Sequence, residues 1–143
     1  MVYTQALNTY QKTAVETVDN LKLVVMCYDG AIRDLQEAKR LHESNSMEAT
    51  YEKIRHAQDI VTELLVGLDY ERGGEISVNL SRLYNFVLRQ LIGINSRQDT
   101  SIYDSLIHIL SELRGAWEHI RRNAPHGSTD GSQQAPLTWR ASA

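Results

Sequence analysis

The chain has 143 residues, with 15 Lys and Arg against 18 Asp and Glu for a formal net charge of -3, and a single cysteine. That length suits one domain able to bury a sizeable core. Interspersed charges with no Lys/Arg cluster among aromatics argue against nucleic-acid binding, and one cysteine excludes an intramolecular disulfide.

Residues 1–18 read as an N-terminal arm, in which Tyr3, Leu7 and Tyr10 could share one side of a short helical turn. Met1 to Gln5 lack the positive and apolar regions of a signal peptide. No later stretch approaches the ~20 apolar residues of a membrane span, so the cytosol, without membrane insertion, is the expected location.

The first helix is predicted from about Asn20 to Glu43, capped by Asp19 or Thr17, with Leu21, Val24, Val25, Tyr28, Ala31, Ile32, Leu35 and Ala38 on one face. Cys27 lies inside this apolar run and reads as a small buried hydrophobe, since nothing local supplies the histidine and open electropositive setting of a nucleophile. Small residues at Gly30 and Ala31 leave room for a neighbour's bulky side chain. A second helix follows Ser44-Asn45-Ser46, with Ser46 as its cap. It runs to Tyr70 and buries Tyr51, Ile54, Ala57, Val61, Leu64, Leu65 and Leu68.

At Asp69-Tyr70-Glu71-Arg72-Gly73-Gly74 the pattern stops, and another begins at Glu75-Ile76. Gly73-Gly74 can take positive φ, and Glu75 sets a negative charge at the next helix N-terminus, so a tight helical hairpin is predicted. The third helix runs to near Asn95 with Ile76, Leu80, Leu83, Tyr84, Val87, Leu91 and Ile94 in one stripe. Phe86, Leu88 and Ile92 fall outside that stripe, so apolar surface covers roughly two-thirds of the circumference, against the third to half that a bundle core needs. Either this helix is central and the arm permanently covers its second face, or a groove beside it accepts an amphipathic helix from a partner. The arm could also serve both ends, covering the groove until a partner displaces it.

The fourth helix is predicted from Asp99-Thr100-Ser101, with Ser101-x-x-Asp104 resembling a capping box and Ile102, Leu106, Ile109, Leu113, Trp117 and Ile120 as its stripe. Gly67 and Gly93 sit inside helical patterns, where close backbone approach would justify them. From Asn123 a Pro/Gly/Ser/Gln-rich tail has nothing to bury before Leu137 and Trp139, and is expected to be flexible. The expected architecture is therefore all-α: an antiparallel up-down-up-down four-helix bundle over 19–122, with an arm at 1–18 and a tail at 123–143.

Catalytic and metal chemistry finds little support. A di-iron bundle needs Glu-x-x-His motifs, which are absent, and His42, His56, His108, His119 and His126 fall on predicted polar faces or in the tail. Asp104 and His108 read as a solvated pair four residues apart. No phosphate-binding loop is present, and Glu71 and Glu75 are better explained by dipole balance than by acid/base work. No cofactor and no metal are expected, and the chain reads as a non-enzyme.

The hairpin, Leu68-Asp69-x-Glu71-x-Gly73-Gly74-Glu75-Ile76-x-x-Asn79-Leu80-x-x-Leu83-Tyr84, closely resembles the flagellar export chaperone family FliS. Leu23-Val24-Val25-Met26-Cys27-Tyr28-Asp29-Gly30-Ala31-Ile32 is similar to that family's first-helix signature, and Leu110-x-x-Leu113-x-x-Ala116-Trp117 to its last. Asp19-Asn20 stand where the family usually carries Ser-Pro, and Cys27 replaces a common Leu. The resemblance implies a cytosolic chaperone that binds the disordered C-terminal segment of flagellin, prevents premature polymerisation and delivers it to the export gate of the flagellar type III secretion apparatus, without hydrolysing ATP. It carries Tyr10 as the arm's anchor and Tyr28, Leu80, Leu83, Tyr84, Val87 and Leu91 as signature positions. Phe86, Leu88 and Ile92 join them from the helical wheel alone. Each has a core alternative, and for Tyr28 and Tyr84 core and groove lining stand level. A monomer or weak dimer is expected, with the polar faces of the second and fourth helices left for a co-chaperone. The competing class is a structural or adaptor bundle that self-associates through the same apolar surface.

Overall fold

The computed structural model describes residues 18–94 and 99–123. Tyr10 and the rest of the expected arm before Val18, together with the tail beyond Asn123, lie outside the described residues. The chain is all-helical there, in the order α1 (Val18–Glu43), α2 (Met47–Val66), a single turn α3 (Tyr70–Gly73), α4 (Glu75–Gly93) and α5 (Ser101–Asn123). None of these helices is long and apolar enough to cross a membrane.

α1 lies between α2 and α5, while α4 packs along α2. Polar pairs fix the register of α1 and α5. Lys39 meets Asp104 at 3.0 Å, Asp29 meets Arg114 at 2.7 Å, and Thr100 donates to Glu43 at 3.0 Å. Numbers rise on one helix as they fall on the other, so the two run antiparallel. α1 turns into α2 through Asn45 at φ 61, a left-handed position that asparagine tolerates, and Ser46 N–H closes the turn on the Leu41 carbonyl at 2.9 Å. An Asp34–His56 hydrogen bond ties these two helices farther along.

One core runs the length of the bundle, with Val24, Tyr28, Ala31 and Leu35 of α1 meeting Ile54, Ala57, Val61 and Leu64 of α2, Leu80, Tyr84, Val87 and Leu91 of α4, and Leu106 and Leu110 of α5. The predicted stripe of α1 is buried except at Leu21 and Ile32, which are partly buried against the core. Ile60, Tyr103 and Leu110, left out of the predicted stripes, are fully buried, whereas Tyr51 is 41% exposed. His42 is buried as well, bonding Tyr103 Oη at 2.9 Å, and does not lie on a polar face. His56 faces Asp34, and Asp104 is taken by Lys39 instead of pairing with His108.

Helix ends differ from expectation in instructive ways. α2 stops at Val66, four residues early, because Gly67 is its C-cap, donating to the Glu63 and Leu65 carbonyls. Gly93 is likewise the last residue of α4, so both glycines close helices instead of lying within them. Asp19 is already inside α1, and Ser46 makes no side-chain cap. Two residues ahead of α5, the Asp99 carboxylate accepts from the Ser101 backbone and hydroxyl at 2.9 Å each. The Ser101–Asp104 box therefore does not form.

The hairpin is built on Asp69. Its buried carboxylate accepts from the Glu71 and Arg72 amides at 3.0 and 3.1 Å, and its carbonyl accepts from the buried Ser77 hydroxyl at 2.7 Å. This side chain nucleates α3 while its backbone clamps the start of α4. Of the two glycines only Gly74 takes positive φ, at 52 with ψ -122, a region open to glycine alone.

Candidate functional site

At about 100° per residue each helix presents a buried stripe with two flanks. In α5 the stripe is Tyr103, Leu106, Leu110 and Trp117. Asp104 and Arg114 mark the flank facing α1, because their partners are Lys39 and Asp29. Ile102, Ile109, Leu113 and Ile120 form the opposite flank and are only partly buried. In α4 the stripe is Ser77, Leu80, Tyr84, Val87 and Leu91, with Ile76, Leu83 and Phe86 to one side and Leu88 and Ile92 to the other.

The hand of the bundle decides which side of α4 looks towards α5. Asp34 marks the face of α1 that meets α2, and Asp29, Lys39 and Glu43 mark the face that meets α5. Carried round a square of right-handed helices with successive neighbours antiparallel, that order turns the Leu83 flank towards α5 and the Leu88 flank towards α2. α4 and α5 scarcely approach each other backbone to backbone. The boundary between the two helices is a seam whose flanks carry Leu83 and Phe86 on α4 and Ile109 and Leu113 on α5. Leu83 is 36% and Phe86 38% exposed, values high for side chains of this size beside a core.

Beneath the seam three buried aromatic side chains join three helices. The Trp117 indole N–H donates to Tyr28 Oη at 3.1 Å, and the Tyr28 and Tyr84 hydroxyls bond each other, so the Tyr28 oxygen is shared by both contacts. The two tyrosine rings lie 6.5 Å apart and tilted by 45°. Burial raises both phenol pKa values well above their ordinary range, against which the hydrogen bonds from Tyr84 and Trp117 to Tyr28 act only in part. Burial likewise pushes the Cys27 thiol up to about 12, with Glu63 adding to it, so the thiol is a packing group. Near the far end, burial, with Tyr51 adding to it, raises Tyr103 to about 12.

The residues named from sequence thus divide by depth. Tyr28, Tyr84 and Val87 are fully buried, and Leu91 and Leu80 nearly so at 1% and 5%. Leu83 and Phe86 are exposed on the seam. Leu88 is partly buried and Ile92 is 68% exposed, but both sit on the α2 side, so the surplus apolar surface of this helix is two patches and not one. Sequence reasoning assigned Ile109 and Leu113 to the core stripe and missed them as a wall of the seam. Their spacing from Asp104 and Arg114 round the wheel held the signal, but reading it requires knowing that those two charges face α1. No group of three His, Cys, Asp or Glu side chains among the described residues could hold a metal ion.

Fold and seam together define an all-α bundle whose distinctive surface is an apolar strip between two helices. The family described as flagellar protein FliS matches residues 3–124. The flagellar secretion chaperone FliS of Vibrio cholerae serotype O1 is 31% identical over 119 residues, spanning 80% of this chain and 88% of that protein. That of Salmonella typhimurium is 34% identical over 114 residues, spanning 79% and 84%, and that of Bacillus subtilis 29% over 122 residues, spanning 83% and 90%. The chain belongs to the FliS family, a family of flagellar secretion chaperones and not of enzymes.

Proposed function

We propose that this protein is an export chaperone that binds the disordered C-terminal segment of flagellin in the cytosol, prevents its premature polymerisation and hands it to the flagellar type III export gate. The observation that carries this reading, beyond family membership, is the seam between α4 and α5. Leu83 and Phe86 lie three residues apart facing Ile109 and Leu113, four residues apart, a spacing that suits the i, i+3/i+4, i+7 anchors of an amphipathic helix. Tyr28, Leu80, Tyr84, Val87 and Leu91 form the floor beneath the walls. Leu88 and Ile92 extend the apolar surface round the far side of α4, where a segment that wraps the bundle would continue, and Tyr10 is the anchor through which the arm would compete.

A client that orders on binding spends part of its interaction free energy on that ordering, which keeps the complex reversible, as handover to an export gate requires. The polar outer faces of α2 and α5 stay available to a co-chaperone. Light scattering on a size-exclusion column tests the proposal. A 1:1 complex with a flagellin C-terminal fragment and a monomer in its absence is the expected result. A dimer that grows with concentration and ignores the fragment would favour the self-associating adaptor.

A further inference from the structure

We infer that Tyr28 is a positioning residue for the proposed client seam: its hydroxyl, held between Trp117 and Tyr84, sets the separation of α4 and α5. This rests on the client-binding reading above. α5 is fastened to α1 and α4 to α2, but α4 and α5 have almost no backbone contact with each other. The seam's width is then set by whatever crosses its floor. Trp117 comes from α5, Tyr84 from α4 and the shared oxygen from α1, so the one Tyr28 atom holds both walls at a common distance. All three side chains are at most 1% exposed, so water does not compete for these bonds.

Leu83 precedes Tyr84 by one residue, and Leu113 lies one helical turn from Trp117. A shift of either floor residue is therefore carried directly to a wall. Tyr28 itself is sealed away from any client, and its effect on binding passes through α4 and α5. A core residue of similar energetic weight on the α1–α2 side, such as the fully buried Ile60, has no such route to the seam.

The test compares full-length Tyr28→Phe, the milder Tyr84→Phe and, as a core control, Ile60→Val, using titration calorimetry with a flagellin C-terminal fragment and amide hydrogen exchange on the unbound proteins. The expected result is that Tyr28→Phe weakens the fragment tenfold or more, Tyr84→Phe weakens it less, and Ile60→Val leaves it within about twofold although it loses about as much stability as Tyr84→Phe. Exchange should accelerate in 80–90 and 109–117 in the tyrosine variants, and chiefly in α2 for Ile60→Val. Equal affinities for Tyr28→Phe and wild type, or losses that track stability alone in all three variants, would overturn the positioning role. If wild type does not bind the fragment, the chaperone reading fails by itself. The exchange pattern then decides the positioning claim, which falls if the α4 and α5 segments respond no more than α2.

Discussion

Replacing Tyr28 by Phe removes one oxygen atom from the centre of the bundle and leaves the ring in place. Two buried groups lose their shared partner, the Trp117 indole N–H and the Tyr84 hydroxyl. A buried polar group deprived of its hydrogen bond costs about 1–3 kcal/mol, so the pair together costs about 2–6 kcal/mol. Tyr84→Phe removes only one of the two bonds, because Tyr28 still accepts from Trp117, and should cost about 1–2 kcal/mol. In the double variant Trp117 alone lacks its partner, so its cost is smaller than the sum of the singles. In urea, with a slope of about 2 kcal/mol per molar, the midpoint should fall by about 1–3 M for Tyr28→Phe and by about 0.5–1 M for Tyr84→Phe, monitored by circular dichroism with the slope unchanged. Equal losses for the two single variants, or a near-neutral Tyr28→Phe, would refute the shared-oxygen arrangement.

Gly74→Ala should destabilise by about 1–3 kcal/mol although a Cβ there meets nothing within 4 Å, because its φ of 52 is the obstacle. Gly115→Ala, equally open but helical, should stabilise by about 0.5–1 kcal/mol, and thermal melts separate the two. Alkaline stability depends on Cys27 and Tyr103, both raised by burial to about 12, and on Tyr28 and Tyr84, whose folded pKa values lie above the unfolded value of 10.0. The tyrosines' contribution is complete below pH 10 and is lost as pH rises towards the folded values, since only the unfolded chain then releases the protons. A fluorescence-monitored pH series should show this fall, and it should be shallower in Tyr84→Phe. Asp69→Ala, which removes the acceptor of two amides at the hairpin, should cost about 1–2 kcal/mol by urea titration, with amide exchange rising first at 70–78.

Much of this molecule is legible in its sequence, and the exceptions share one cause. The α1 stripe could be read because Ala31, Leu35 and Ala38 in its later half are separated by Arg33, Asp34, Gln36 and Glu37. Helix α5 could be read only to within one flank, since Ile102, Ile109, Leu113 and Ile120 are as apolar as the buried Leu106 and Leu110 and nothing local ranks them. In α4 the excess apolar surface was plain, but its division into a Leu83–Phe86 side and a Leu88–Ile92 side depends on the order of helices around α1. That order is set by Asp34–His56 and Asp29–Arg114, contacts made at long sequence separation. Buried polar groups escaped for the same reason. Asp69 and His42 look like surface residues until Ser77 and Tyr103 reach them from elsewhere in the chain. Glycines misled more simply, because Gly67 and Gly93 interrupt apolar periodicity no differently whether they lie within a helix or close it.

The most direct measurement is calorimetric titration of the full chain with a flagellin C-terminal fragment at several temperatures, alongside Leu83→Glu, and Ile92→Glu on the opposite flank of α4. Binding at 1:1 with a large negative heat-capacity change is predicted, as burial of about 1,000–3,000 Å² in coupled folding requires. Leu83→Glu should lose at least a hundredfold in affinity while keeping its helical spectrum, and Ile92→Glu should lose far less. No heat at any temperature, or full binding by Leu83→Glu, would contradict a client seam between α4 and α5.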